Sequence, residues 1–107
     1  MKESNFQSKL IKEIESMFGG KENCLILKND PNYKQGIPDL LILYNDKWAA
    51  LEVKVNDKAK HQPNQDHYIS KMNDWSFASF ISPENKEEVL MKKFSKTKKG
   101  AIQMNAP

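Results

Sequence analysis

Gly36-Ile37-Pro38-Asp39-Leu40-Leu41-Ile42-Leu43-Tyr44-Asn45-Asp46-Lys47-Trp48-Ala49-Ala50-Leu51-Glu52-Val53-Lys54-Val55 is the stretch that decides the fold. A Gly and a Pro open the apolar run from Leu40 to Tyr44, Asn45-Asp46 is a turn signal, and Lys47 to Val55 returns as a second strand. This pattern predicts a β-hairpin. Side chains alternate across a strand, so Glu52 and Lys54 share one face while Leu51, Val53 and Val55 share the other. The hairpin also sets Asp39, at the start of its first strand, beside Glu52 near the end of its second. Two carboxylates and a lysine therefore converge next to an otherwise apolar sheet, an arrangement that suits a hard divalent cation and a phosphate.

Upstream, Ser4 followed three residues later by Gln7 is a capping-box signature. Phe6, Leu10, Ile14, Met17 and Phe18 then recur at helical spacing until Gly19-Gly20, predicting a helix over about residues 5 to 18. Cys24 to Lys28 reads as a short strand, and Asn29 to Gly36 is a loop of turn formers leading into the hairpin. Downstream, Asn56 to Gln62 is a polar, basic loop, and Pro63 opens a second helix to about Asn73 with Tyr68, Ile69 and Met72 on its apolar side. Ser76 to Ile81 alternates as a strand. Ser82-Pro83-Glu84 caps a third helix whose Val89, Leu90 and Phe94 face inward, and Trp48, Tyr33 and Trp75 read as packing residues. Residues 95–107 read as a basic tail or a weak final strand. The order αβββαβα makes an α/β fold, a mixed sheet flanked by helices, the natural architecture.

Composition sets bounds on function. The 107 residues allow one domain with one modest core. A net charge of +3 is too small a surplus to identify a nucleic-acid binder by itself. All 17 cations are lysine, so bidentate guanine readout by arginine is impossible, which argues against strong base specificity. The lone Cys24, in an apolar run, reads as a small buried hydrophobe, and no disulfide framework exists. No apolar stretch approaches the roughly 20 residues of a membrane span, and the N-terminus lacks a signal-peptide core, so the expected location is cytoplasmic. Abundant Lys, Asn and Ile suggest an AT-rich genome.

The carboxylates admit a plain reading: Asp39 turns the chain after Pro38, and Glu52 and Lys54 decorate a solvated strand face. Like charges on one sheet face repel, however, and Asp39 and Glu52 gain nothing from proximity unless a cation lies between them. Mg²⁺ binds through one or two protein carboxylates and completes its shell with waters and substrate phosphate oxygens. Lys54, on the same face, would stabilise the charge that grows on a phosphodiester under attack. Glu13 lies at the edge of the stripe formed by Phe6, Leu10 and Met17, and two readings stand: a snorkelling surface side chain, or a third carboxylate of the site. Gln65, eleven positions after Lys54, either simply begins the second helix or holds a water or phosphate near the hairpin. Lys58, Lys60 and His61 form either a solvated connection or contacts to a nucleic-acid backbone, and Lys34 is the cation closest before Asp39. His61 and His67 lack zinc-ligand spacing.

Pro38-Asp39 and Glu52-Val53-Lys54 together resemble the two signatures of the PD-(D/E)XK nuclease superfamily. Gly36-Ile37-Pro38-Asp39-Leu40-Leu41, Leu51-Glu52-Val53-Lys54, and Gln65 followed by a helix and the strand to Ile81 look like the small virus-type VRR-NUC nucleases and their Holliday-junction-resolving relatives. The resemblance covers about residues 5 to 94. It implies a restriction-endonuclease-like αβββαβ core, a phage source, and a DNA phosphodiesterase dependent on Mg²⁺, with Mn²⁺ substituting. It further implies Asp39 and Glu52 as metal ligands, Lys54 as the catalytic lysine, Gln65 as the helix glutamine and Glu13 as the first-helix acid. Arginines that often precede the Pro-Asp signature are missing. The resulting expectation is a structure-selective DNA endonuclease that cuts branched DNA as a homodimer. Its rivals are a nuclease or nickase without junction preference and a catalytically silent nucleic-acid-binding module on the same fold.

Overall fold

The hairpin forms as the pattern requires, because Asn45, at φ 53°, supplies the left-handed conformation that a tight two-residue turn needs. The structure, a computed structural model, describes residues 2–30 and 32–94. Strand β2 (Leu40–Tyr44) pairs antiparallel with β3 (Lys47–Val53), with Leu40 opposite Leu51 and Tyr44 opposite Lys47. Strand β1 (Leu25–Lys28) adds antiparallel to β2, and β4 (Phe77–Ile81) adds parallel to β3, giving a four-stranded mixed sheet in the order β1-β2-β3-β4. Helix α1 (Glu3–Met17) precedes the sheet, and α2 (Gln65–Trp75) makes the crossover from β3 to β4. A short helix α3 (Lys86–Glu88) runs on as a π-helical segment, Val89–Phe94. This is the expected mixed α/β sheet with flanking helices, compatible with an αβββαβ core.

The core lies on one sheet face. Phe6, Leu10 and Ile14 of α1 pack with Leu40, Ile42, Tyr44, Leu51, Val53 and Ile81 of the sheet and with Val89 and Leu90. The spacing of the three helical residues is what brings them to one side. On the other face α2 lies against β3 and β4. Leu25 and Leu27 of the edge strand are exposed there. Among the described residues no helix is long and apolar enough to cross a membrane.

Several boundaries differ from the sequence reading. Helix α1 begins at Glu3, with Lys2 as its N-cap and no side-chain cap, so the Ser4-Gln7 signature is not used as a capping box. Pro63 precedes α2 rather than lying in its first turn, since Asn64 in the left-handed region (φ 72°) is the N-cap. The turn after β4 is held by Asn85, whose Oδ1 accepts the Ser82 N–H at 2.7 Å, and Ser82-Pro83-Glu84 forms this turn instead of a cap. Tyr33 and Trp75 are exposed by 82% and 65%, so neither is a packing residue, while Trp48 is half-buried. Trp75 instead lies under the Lys71 ammonium, 5.4 Å from its ring centroid. Strand β3 ends at Val53, leaving Val55 exposed. The Phe94 side chain and residues 95–107 lie outside the described part.

Candidate active site

Asp39 stands one residue before β2, and continuing the register of Leu40 with Leu51 sets it opposite Glu52. Its Oδ2 accepts the Val53 backbone N–H at 2.9 Å. The preceding loop is held by Asn29, whose N–H donates to the Asp39 carbonyl (2.8 Å) and whose Nδ2 donates to the Pro38 carbonyl (2.7 Å). Lys54, just past β3, continues the ladder with an N–H bond to the Ile81 carbonyl at 2.8 Å, which keeps its side chain on the face of Glu52.

On that face three polar side chains are buried together: Glu52 (5% exposed), Lys54 (8%) and Gln65 (8%). Buried polar groups persist only when hydrogen-bonded, and Gln65 provides the bonds. Its Nε2 donates to Glu52 Oε2 at 2.9 Å, and its Oε1 accepts from Lys54 Nζ at 2.7 Å and from the Gln62 N–H at 2.8 Å. Lys54 Nζ also donates to the Lys60 carbonyl at 3.1 Å and lies 4.0 Å from Glu52 Oε2. Gln65 is the only fully buried residue of α2, with Tyr68, Ile69 and Met72 half-buried farther along the helix. Gly36 makes the close approach of the helix's first turn possible. At φ +94° it packs against that turn, and a Cβ there would lie 2.6 Å from Asn64 Cβ. Gln65→Leu is expected to lower stability by about 1–3 kcal/mol, because buried groups of Lys54 and Glu52 lose their amide partner. Urea denaturation read by circular dichroism measures it.

Glu52 Oε1 is buried without a hydrogen-bond donor. Burial first, then the facing Asp39 carboxylate, pushes the Glu52 carboxyl up to about 8, with Lys54 opposing and a shared proton toward Asp39 and the charge of Glu3 adding to the rise. Two acceptor-only groups that face each other need a proton or a cation between them. Among the described residues no three His, Cys, Asp or Glu side chains converge into a metal cage. Asp39 and Glu52 are the two carboxylates available, a number that Mg²⁺ accepts.

The first-helix acid whose charge acts on this cluster is Glu3, itself exposed in the first turn of α1. Its carboxyl is raised by burial and then by Asp39, against the lowering effect of Lys54. The structure does not bring Glu13 to the site: its Oε1 accepts a bond from Lys86 Nζ at 2.9 Å, a contact 73 residues apart in sequence. Asp39, Glu52 and Lys54 are brought together as the hairpin spacing predicts, and Gln65 joins them through its bonds to Glu52 and Lys54. Lys34, Lys58 and Lys60 are exposed in the loops that lead into the site, Lys34 before Asp39 and the others between Lys54 and Gln65. His61 stacks on Phe80 (centroids 3.9 Å apart, 14° between planes), and its Nδ1 lies 2.8 Å from Asp66 Oδ1. Phe80 is the register partner of Glu52, so this stack sets the 56–64 loop over the Glu52 end of the sheet. No family model, curated protein or solved structure matches the chain.

Proposed function

We propose that this protein is a Mg²⁺-dependent DNA endonuclease of the PD-(D/E)XK type that selects branched DNA, four-way junctions foremost, and acts as a twofold homodimer. The observation that carries this reading is the facing pair of Asp39 and Glu52, with Glu52 Oε1 buried and lacking a donor beside a buried lysine. The fit to a cation is direct. Its donors are hard carboxylate oxygens, one of them orphaned; Glu52 is raised first by burial and then by the facing Asp39 charge, and a divalent cation would offset both.

Asp39 and Glu52 would hold Mg²⁺, which when bound supplies charge neutralisation and a more acidic water. Asp39 is aimed by the Val53 N–H, and Glu52 by Gln65. Lys54 keeps one N–H after its bonds to Gln65 and Lys60, and that proton is directed to a phosphoryl oxygen as charge develops on it. Glu3, exposed in the first turn of α1, adds negative charge that acts on Asp39 and so strengthens attraction for the cation at longer range. Lys34, Lys58 and Lys60 contact the DNA backbone as point charges, which favours recognition of shape over base sequence. One subunit carries one site, and a symmetric pair supplies the second cut that a junction requires.

The test is incubation with linear duplex, flap and four-way-junction DNA, with and without Mg²⁺. Expected are metal-dependent nicks concentrated at the junction, with Asp39→Asn inactive although its side-chain oxygen still accepts the Val53 N–H. Binding of junction DNA without cleavage of any substrate in Mg²⁺ or Mn²⁺ would instead identify a catalytically silent module.

A further inference from the structure

A second surface leads away from the carboxylates. Between α1 and β1 runs a groove of about 470 Å³ whose floor includes Ile11 and Ile26 and whose walls carry Lys12, Lys21 and Lys28 against the single acid Glu15. All three lysines are exposed, and among the described residues none is paired with a carboxylate. Their charge is thus available to a partner.

The groove is aligned with the site. Helix α1 starts at Glu3, whose carboxyl feels Asp39 and Lys54, and runs outward along the groove through Ile11, Lys12 and Glu15. Strand β1 runs the other way and ends at Lys28, followed by Asn29, whose N–H holds the Asp39 carbonyl. The Lys28 end therefore lies nearest the Asp39 backbone, and Lys21, in the turn between α1 and β1, stands at the far end. An acidic cluster repels a polyanion, so a nuclease built on one needs cations beyond the metal to hold its substrate.

We infer that the α1–β1 groove is a phosphate track that holds the DNA backbone on one side of the scissile bond, with Lys28, Lys12 and Lys21 as its contacts. The inference rests on the nuclease reading and adds the surface that grips the substrate. From Glu3 to Lys12 is nine residues of helix, about 14 Å at 1.5 Å per residue. At about 3.4 Å per base pair, that places the Lys12 contact roughly four base pairs from the cut, with Lys28 nearer and Lys21 farther. The apolar floor lets a backbone approach without desolvating further charge.

The test uses the full chain and duplex or junction DNA in metal-free buffer over a series of salt concentrations. The triple variant Lys12→Ala, Lys21→Ala, Lys28→Ala should bind more weakly, with a log K versus log salt plot shallower by roughly 1–3, since each lost phosphate contact removes about 0.9 from the slope. The Lys47→Ala, Lys71→Ala control should leave the slope unchanged, and matching thermal melts establish that both variants fold. DNA carrying uncharged methylphosphonates three to five positions from the cut should weaken parental binding and leave the triple variant indifferent, a coupling that only a direct contact produces. Parental affinity and slope in the triple variant, or additive effects of protein and DNA changes, would overturn the groove assignment. The two readings fail separately. If the parent shows the lysine-dependent slope but cuts nothing in Mg²⁺, the track stands and the nuclease assignment falls. If it cuts normally without lysine dependence, the reverse holds.

Discussion

Glu52→Gln is expected to abolish Mg²⁺-dependent cleavage and, in metal-free protein, to raise stability at neutral and alkaline pH. Loss of cleavage follows because the amide retains the shape of the side chain but removes one of two charges that would hold the cation. The stability effect follows from linkage. Folding raises the Glu52 carboxyl from its ordinary 4.5 to about 8, chiefly by burial and then by Asp39. Between those values the folded protein binds more protons than the unfolded chain, so its stability falls as pH rises. The contribution is complete below 4.5 and is lost as pH climbs through about 8. In EDTA, the parental melting temperature should therefore decline across this window, whereas Glu52→Gln should follow a flatter profile. Mg²⁺ should raise the parental value most at the alkaline end, where the cation replaces the missing proton. A variant that still cleaves, or a parental profile indifferent to Glu52, would contradict the assignment.

Lys54→Ala is expected to lose on the order of 10²–10³ or more in single-turnover cleavage rate, the range for removing a group that stabilises transition-state charge. Binding of Mg²⁺ and junction DNA should stay near parental, because the ammonium is no metal ligand and its main target is charge that exists only as the phosphorus centre is attacked. Lys54→Arg should restore little. The ammonium occupies a slot between the Gln65 amide oxygen and the Lys60 carbonyl, and the side chain is buried. A planar guanidinium neither fits that slot nor presents a compact charge. Quench-flow measurement with saturating protein separates the chemical step from binding. Near-parental cleavage by Lys54→Ala would reduce the residue to a structural partner of Gln65.

The parts of the site carried by the hairpin were legible because a strand has a period of two and a tight turn has a definite register. Asp39 opposite Glu52, and Lys54 on the face of Glu52, follow from counting. Gln65 was legible only as a position near the start of a helix. Its double role as donor to Glu52 and acceptor from Lys54 depends on the Gly36 contact, which sequence spacing does not encode. The exchange of Glu13 for Glu3 has a specific cause. Placing the helix start after Ser4 left Glu3 outside α1, and helical periodicity identifies a face without saying which end of it meets the site. The charge of Glu3 in the first turn, favourable to the helix dipole, was the signal available. Tyr33 and Trp75 are exposed against the expectation from their aromatic character, which favours burial only on average.

The repulsion between Asp39 and Glu52 also bears on the order in which the chain folds. The hairpin has a favourable end, at the Asn45-Asp46 turn, and an unfavourable one, where the two carboxylates meet before Gln65 has arrived to bond either Glu52 or Lys54. Local pairing from the turn forms early because it closes the shortest loop, whereas docking of α2 awaits the parallel addition of β4, a contact of longer range. The strands are therefore expected to zip from the turn toward the carboxylates, with amide hydrogen-exchange protection at the mouth appearing only after the crossover is complete. A chain folded only that far would have its hairpin but not its site, because the polar cluster of Glu52, Lys54 and Gln65 is complete only once α2 has docked.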